Sequence, residues 1–83
     1  MTASGRYSTA AGVNSIASNF GTVALGSDPK ASGDKSIAIG NMAEATADSA
    51  IAIGWGANGD GVGSAALGHT ATATGTNSLA AGY

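Results

Sequence analysis

Ser36-Ile37-Ala38-Ile39-Gly40 is answered fourteen residues later by Ala50-Ile51-Ala52-Ile53-Gly54. The same small-x-Ala-x-Gly pattern stands at Ser8 to Gly12, Thr22 to Gly26, Ser64 to Gly68 and Ser78 to Gly82, so six copies run in register without insertion or deletion. The third residue is always Ala (Ala10, Ala24, Ala38, Ala52, Ala66, Ala80) and the fifth always Gly (Gly12, Gly26, Gly40, Gly54, Gly68, Gly82). This period is shorter than the usual helical repeats and holds no helix-length apolar segment. It predicts an all-β solenoid in which each copy is one coil. Residues 1–83 then form a single unit with coils at 8–21, 22–35, 36–49, 50–63 and 64–77 and a sixth begun at 78–83. Because that sixth copy stops at Tyr83, part-way through a coil, the chain is expected to be an excerpt of a longer protein.

Numbered from Ser8, each coil has fourteen columns and two alternating halves. Columns two and four carry large apolar residues: Val23 and Leu25, Ile37 and Ile39, Ile51 and Ile53, then Leu67 and Leu79. Alternation with period two, rich in β-branched residues, predicts a strand. The second half repeats x-Ala-x with polar flanks, as in Lys30-Ala31-Ser32 and Thr72-Ala73-Thr74, and predicts a second short strand. Glycine at column five, and at column twelve in Gly5, Gly33, Gly61 and Gly75, falls where the chain must reverse; positive φ is expected at both corners.

Two strands and two corners in so few residues make a flat coil with space for small side chains only. Ala10, Ala24, Ala38, Ala52, Ala66 and Ala80 are therefore expected to fill the roll. Neighbouring residues on a strand face opposite ways, so Val23, Leu25, Ile37, Ile39, Ile51, Ile53, Leu67 and Leu79 would form an outward stripe. Soluble monomers avoid contiguous apolar patches of that kind. Burying each large residue is worth roughly 1.5–3 kcal/mol, which predicts an obligate homo-oligomer packed through the stripe. In the competing arrangement the stripe is an ordinary internal core and the alanines face solvent.

Composition narrows the function classes. Five acids (Asp28, Asp34, Glu44, Asp48, Asp60) against Arg6, Lys30 and Lys35 give a net charge of -2, and charged residues make up 10%. Three scattered basic groups cannot replace counterions along a phosphate backbone, so nucleic acid is set aside as a partner. With no cysteine, neither disulfides nor thiolate metal sites hold the fold. No run of about 20 apolar residues would span a bilayer as a helix.

The runs Ser36-Ile37-Ala38-Ile39-Gly40, Thr22-Val23-Ala24-Leu25-Gly26 and Asn77-Ser78-Leu79-Ala80-Ala81-Gly82 resemble the YadA-like head repeats of trimeric autotransporter adhesins over the whole chain. The resemblance implies a left-handed parallel β-roll assembled as a homotrimer, with the column-two and column-four residues at the trimer axis. It also implies export by a type V route and display on the outer membrane of a Gram-negative bacterium. The partners it implies are host extracellular matrix proteins such as collagen, fibronectin or laminin, or the host cell surface. The irregular coil at Ile16 to Phe20 departs from the pattern, and Trp55-Gly56-Ala57-Asn58-Gly59-Asp60-Gly61 is glycine-rich enough to predict local distortion or mobility.

Chemistry-bearing motifs are sparse. Gly54-Trp55-Gly56-Ala57-Asn58-Gly59 fits a dinucleotide fingerprint, but that fingerprint requires a following helix and an acid about 20 residues on, and neither is present. Asn58 and Asp60 among glycines resemble a calcium loop, yet calcium takes six or more oxygens and no acid recurs in each turn. His69 is the sole histidine: no catalytic triad is expected around it, and a zinc site with two or more histidines cannot be built in one chain, although three copies around an axis could supply three. No cofactor and no enzymatic activity are expected. Column six stacks Trp55, His69 and Tyr83, an expected aromatic ladder along one edge, serving either as a contact strip for a protein ligand or to shield the corner or fill the groove between subunits. The second strand offers Lys30, Ser32, Glu44, Thr46, Asn58, Asp60, Thr72 and Thr74 as the candidate ligand face. A threonine array for ice is absent, since column nine reads Thr2, Ile16, Lys30, Glu44, Asn58, Thr72.

Overall fold

The alternating halves of each coil form two parallel sheets in the computed structural model, which describes residues 2–82. One sheet stacks β1 (Thr2–Ala3), β3 (Ile16–Ala17), β5 (Lys30–Ala31), β7 (Glu44–Ala45), β9 (Asn58–Gly59) and β11 (Thr72–Ala73) in that order. The other stacks β2 (Thr9–Ala11), β4 (Val23–Leu25), β6 (Ile37–Ile39), β8 (Ile51–Ile53), β10 (Ala65–Leu67) and β12 (Leu79–Ala81). Parallel neighbours need a long crossover. Here the crossover is the other half of the coil, so each strand pairs with its counterpart one repeat away: Ala24 opposite Ala38, Ala38 opposite Ala52, Ala31 opposite Ala45. The resulting slab measures 28 × 21 × 11 Å.

Between the sheets there is space for little more than methyl groups. Ala17, Ala24, Ala31, Ala38, Ala45, Ala52 and Ala66 have no exposed surface, and the largest fully buried side chains are Thr22, Pro29 and three serines, Ser15, Ser36 and Ser64. A buried methyl is worth about 0.8 kcal/mol, a thin return beside the cost of ordering the backbone. Cohesion therefore comes largely from the coil-to-coil backbone ladder, and that ladder continues around the corners. Lys35 N donates to Phe20 O at 2.7 Å and Ser49 N to Asp34 O at 2.7 Å at one edge; Met42 N donates to Ser27 O at 2.9 Å and Thr70 N to Trp55 O at 2.7 Å at the other.

The corners correct one expectation. Column-five glycines do lie at φ of +108° to +128°, a region essentially closed to side chains. Gly5, Gly33, Gly61 and Gly75 at column twelve are not among the positive-φ residues. Left-handed backbone falls instead at columns seven and fourteen, on Asn14, Asp28, Met42 and Thr70 and on Tyr7, Lys35, Ser49 and Asn77. Column fourteen is the third residue of a four-residue turn closed by Ser36 N donating to Gly33 O at 3.1 Å and Ser64 N to Gly61 O at 3.0 Å; turns of the type II family need positive φ there.

Column twelve is held to glycine by proximity rather than by φ. A β-carbon on Gly5 would lie 2.0 Å from Asn19 O, on Gly33 2.0 Å from Ala47 O, and on Gly61 2.2 Å from Gly75 O. The N–H groups of those same glycines share a carbonyl with their predecessors, Gly33 N reaching Ala45 O at 3.3 Å beside Ser32 N at 3.0 Å. Asn19 and Ala47 occupy the intervening coils, and Gly75, the next column-twelve glycine after Gly61, meets no such carbonyl.

The glycine-rich coil is regular in its pairing. Asn58 and Gly59 keep register with Glu44 and Ala45 on one side and Thr72 and Ala73 on the other, so the expected distortion is absent from the sheet. The ladder needs only backbone groups, and Gly59 occupies an interior column where a hydrogen replaces a methyl.

Candidate functional site

Side-chain direction on the three-residue strands divides the apolar residues between inside and outside. In β4, β6 and β8 the central Ala24, Ala38 and Ala52 are buried while their neighbours face away from the roll. Val23, Leu25, Ile37, Ile39 and Ile51 are half-buried; Ile53, Leu67 and Leu79 keep 38%, 38% and 69% of their surface exposed. Register places Val23, Ile37 and Ile51 in one row and Leu25, Ile39, Ile53 and Leu67 in the next. The larger part of the chain's bulky aliphatic surface thus lies on one flat outer face, and the arrangement with this stripe inside is not the one adopted. Ala10 and Ala80, in the end strands, are partly buried.

The opposite sheet presents the polar residues. Lys30, Glu44, Thr46, Asp60, Thr72 and Thr74 are exposed, and Ser32 and Asn58 are half-buried. Three side-chain contacts tie successive coils: Thr46 Oγ1 donates to Asp60 Oδ1 at 2.9 Å, Asp34 N donates to Asp48 Oδ1 at 3.1 Å, and Asn19 Nδ2 donates to Ser32 O at 3.2 Å. Asn58 turns its Oδ1 out of solvent without a hydrogen-bond partner. Ile16 interrupts this polar face at 39% exposure.

Both corners carry aromatics. The Trp55 and His69 rings stack with centroids 4.8 Å apart and planes 11° from parallel, as their shared column six requires. Tyr83, the third member of that expected ladder, lies outside the described residues. At the other corner Tyr7 meets Phe20 edge-on at 5.6 Å. Sequence reading missed this pair because the two stand in adjacent columns of successive coils, a proximity visible only once the coils are stacked.

No pocket opens among the described residues, and no group of His, Asp or Glu there converges as for a metal. The dinucleotide-like glycines belong to the repeat: Gly54 is a column-five corner at φ +128°, and β9 rather than a helix follows. What the surface offers is two extended faces, one apolar and one polar.

A period of fourteen, two parallel sheets, alanine inside and aliphatics outside are the features to compare with known proteins. The family model described as YadA head domain repeat (2 copies) matches residues 3–28, 31–57 and 60–83, nearly the whole chain. The chain belongs to the YadA head repeat family. Each matched block covers about two coils, the interval at which Gly5, Gly33 and Gly61 recur in this YadA head segment. No curated protein matches the sequence.

Proposed function

We propose that this YadA head segment is part of the head of a trimeric autotransporter adhesin, displayed on the surface of a Gram-negative bacterium and attaching it to host matrix or host cells. The observation that carries this is the division of faces in a chain of this family: aliphatics outward on one sheet, polar residues outward on the other. Three left-handed rolls would meet through Val23, Leu25, Ile37, Ile39, Ile51, Ile53, Leu67 and Leu79. That leaves Lys30, Ser32, Glu44, Thr46, Asn58, Asp60, Thr72 and Thr74 facing outward on each of three sides.

Such a particle works without a pocket, a cofactor or catalysis. Three identical flat faces engage a repetitive or multivalent partner many times over, so weak contacts add up to avidity. Collagen, fibronectin, laminin and the host cell surface are partners of that kind. The second reading is a spacer that holds another adhesive domain away from the membrane, and the rigid coil-to-coil ladder favours it equally well.

Binding of purified protein to immobilised collagen, fibronectin, laminin and cultured cells separates the two. Alanine at Lys30, Glu44, Thr46, Asp60, Thr72 and Thr74 together abolishes binding and spares assembly if the face is adhesive. Binding by neither protein leaves the spacer, whereas equal binding by both places adhesion on a surface other than this face.

A further inference from the structure

We infer that the copy of the chain covering the apolar stripe also covers the edge at column six, so that the Trp55–His69 stack lies at a junction between copies. This rests on the assembly proposed above and adds to it a surface outside the stripe.

The distribution of formal charge marks the boundary. Arg6, Asp34 and Asp48 stand at column thirteen, Lys35 at fourteen, Lys30 and Glu44 at nine, Asp60 at eleven and Asp28 at seven. None stands anywhere from column two to column six, so the uncharged surface does not end with the stripe. It continues past the corner glycine to Val13, Ser27, Asn41, Trp55 and His69. Interface centres are depleted in charge, and of the two aromatic-bearing corners this one carries a single charged residue, Asp28, against four at the other. Val13 and Trp55 stand there 67% and 47% exposed. The opposite corner would bring Arg6, Asp34, Lys35 and Asp48 into the contact, where each charge loses hydration.

Area leads to the same edge. Three-residue strands at about 3.3 Å per residue make the stripe's sheet roughly 10 Å wide. Over a height of 28 Å the projected face is about 280 Å². A stable association covers roughly 800 Å² on each partner. Side-chain relief makes the accessible area larger than this projection, yet the projection is well under half of that figure, so the stripe together with the adjoining uncharged column six is the surface best able to supply it. The two stacked rings form a flat step over successive coils, well shaped for an aliphatic side chain from a neighbouring copy.

Trp55 is the one tryptophan, so its emission reports this edge alone. Iodide quenching of the intact chain is measured alongside its sedimentation mass. The expected result is an assembled mass with quenching several-fold weaker than for free N-acetyltryptophanamide, rising when Ile39→Asp separates the copies. Trp55→Lys is expected to keep the strand signature in circular dichroism while releasing single chains on dilution. An assembled mass with Trp55 freely quenched, or a Trp55→Lys variant that stays assembled at every concentration, overturns the inference and leaves the assembly standing. A single-chain mass for the unsubstituted protein overturns both.

Discussion

A β-carbon added to Gly40 would lie 2.6 Å from the carbonyl oxygen of Gly54 in the next coil. Gly40 itself sits at φ +126°. Sterics and backbone conformation therefore both demand glycine at Gly40, and glycine fills this column in all six copies.

Gly40→Ala is expected to destabilise the fold by about 3 kcal/mol, since the strained φ and the carbonyl clash add. Gly75→Ala is the control: its β-carbon would meet Ser78 Cβ at 3.7 Å, an ordinary contact, and its φ is not positive. Urea unfolding of the pair should show a large shift for Gly40 and one within about 0.5 kcal/mol for Gly75.

Ala38 lies between Ala24 and Ala52 in the register, all three without exposed surface. Ala38→Leu must push the sheets apart, at a cost of about 3 kcal/mol or more. Thermal unfolding measures it. A variant as stable as the parent would mean that the interior has space to spare.

At column one, Ser8 Oγ donates to Gly5 O at 2.6 Å and Thr22 Oγ1 to Asn19 O at 2.9 Å. Ser64 Oγ is buried without a partner, and Ala50 fills the same column in the preceding coil. Removing an unsatisfied buried hydroxyl relieves its desolvation, so Ser64→Ala is expected to stabilise by about 1 kcal/mol, while Thr22→Ala loses a bond and destabilises. Parallel chemical denaturation of the two variants checks the opposite signs.

Thr70 carries a β-branched side chain at φ +57°, an unfavourable combination. Its hydroxyl donates to His69 O at 2.7 Å, which recovers part of the cost. Thr70→Gly is expected to be neutral to stabilising by about 1 kcal/mol, as Gly56 already occupies the equivalent place in the coil before it. A drop in melting temperature would show that the hydroxyl bond outweighs the strain.

The repeat made much of this fold legible because each column is sampled several times. Alternation at Ile37-Ala38-Ile39 separated interior from exterior correctly, since a strand must turn successive residues to opposite faces. Column twelve was misread because a glycine does not reveal whether it is needed for its φ or for its missing β-carbon; Gly33 is there for the second reason. The left-handed positions stayed hidden because Met42, Lys35 and Thr70 have no leaning toward that conformation. Asn14, Asn77 and Asp28, with Gly56 at column seven and Gly21 and Gly63 at column fourteen, were the hints, and elsewhere the coil ladder overrides local preference. The contact of Tyr7 with Phe20 depends on stacking offset, which the spacing of columns does not encode.

How many copies share the stripe is a property of the assembly, and it decides whether the outward aliphatics are a liability or a core. Light scattering or sedimentation of the intact chain measures it directly. Assembly through Ile37, Ile39, Ile51 and their neighbours gives three times the chain mass, unchanged on dilution, and Ile39→Asp reduces it by placing carboxylates against apolar surface. A folded single chain, stable with the stripe in water, would contradict the trimer and with it the proposed adhesin head.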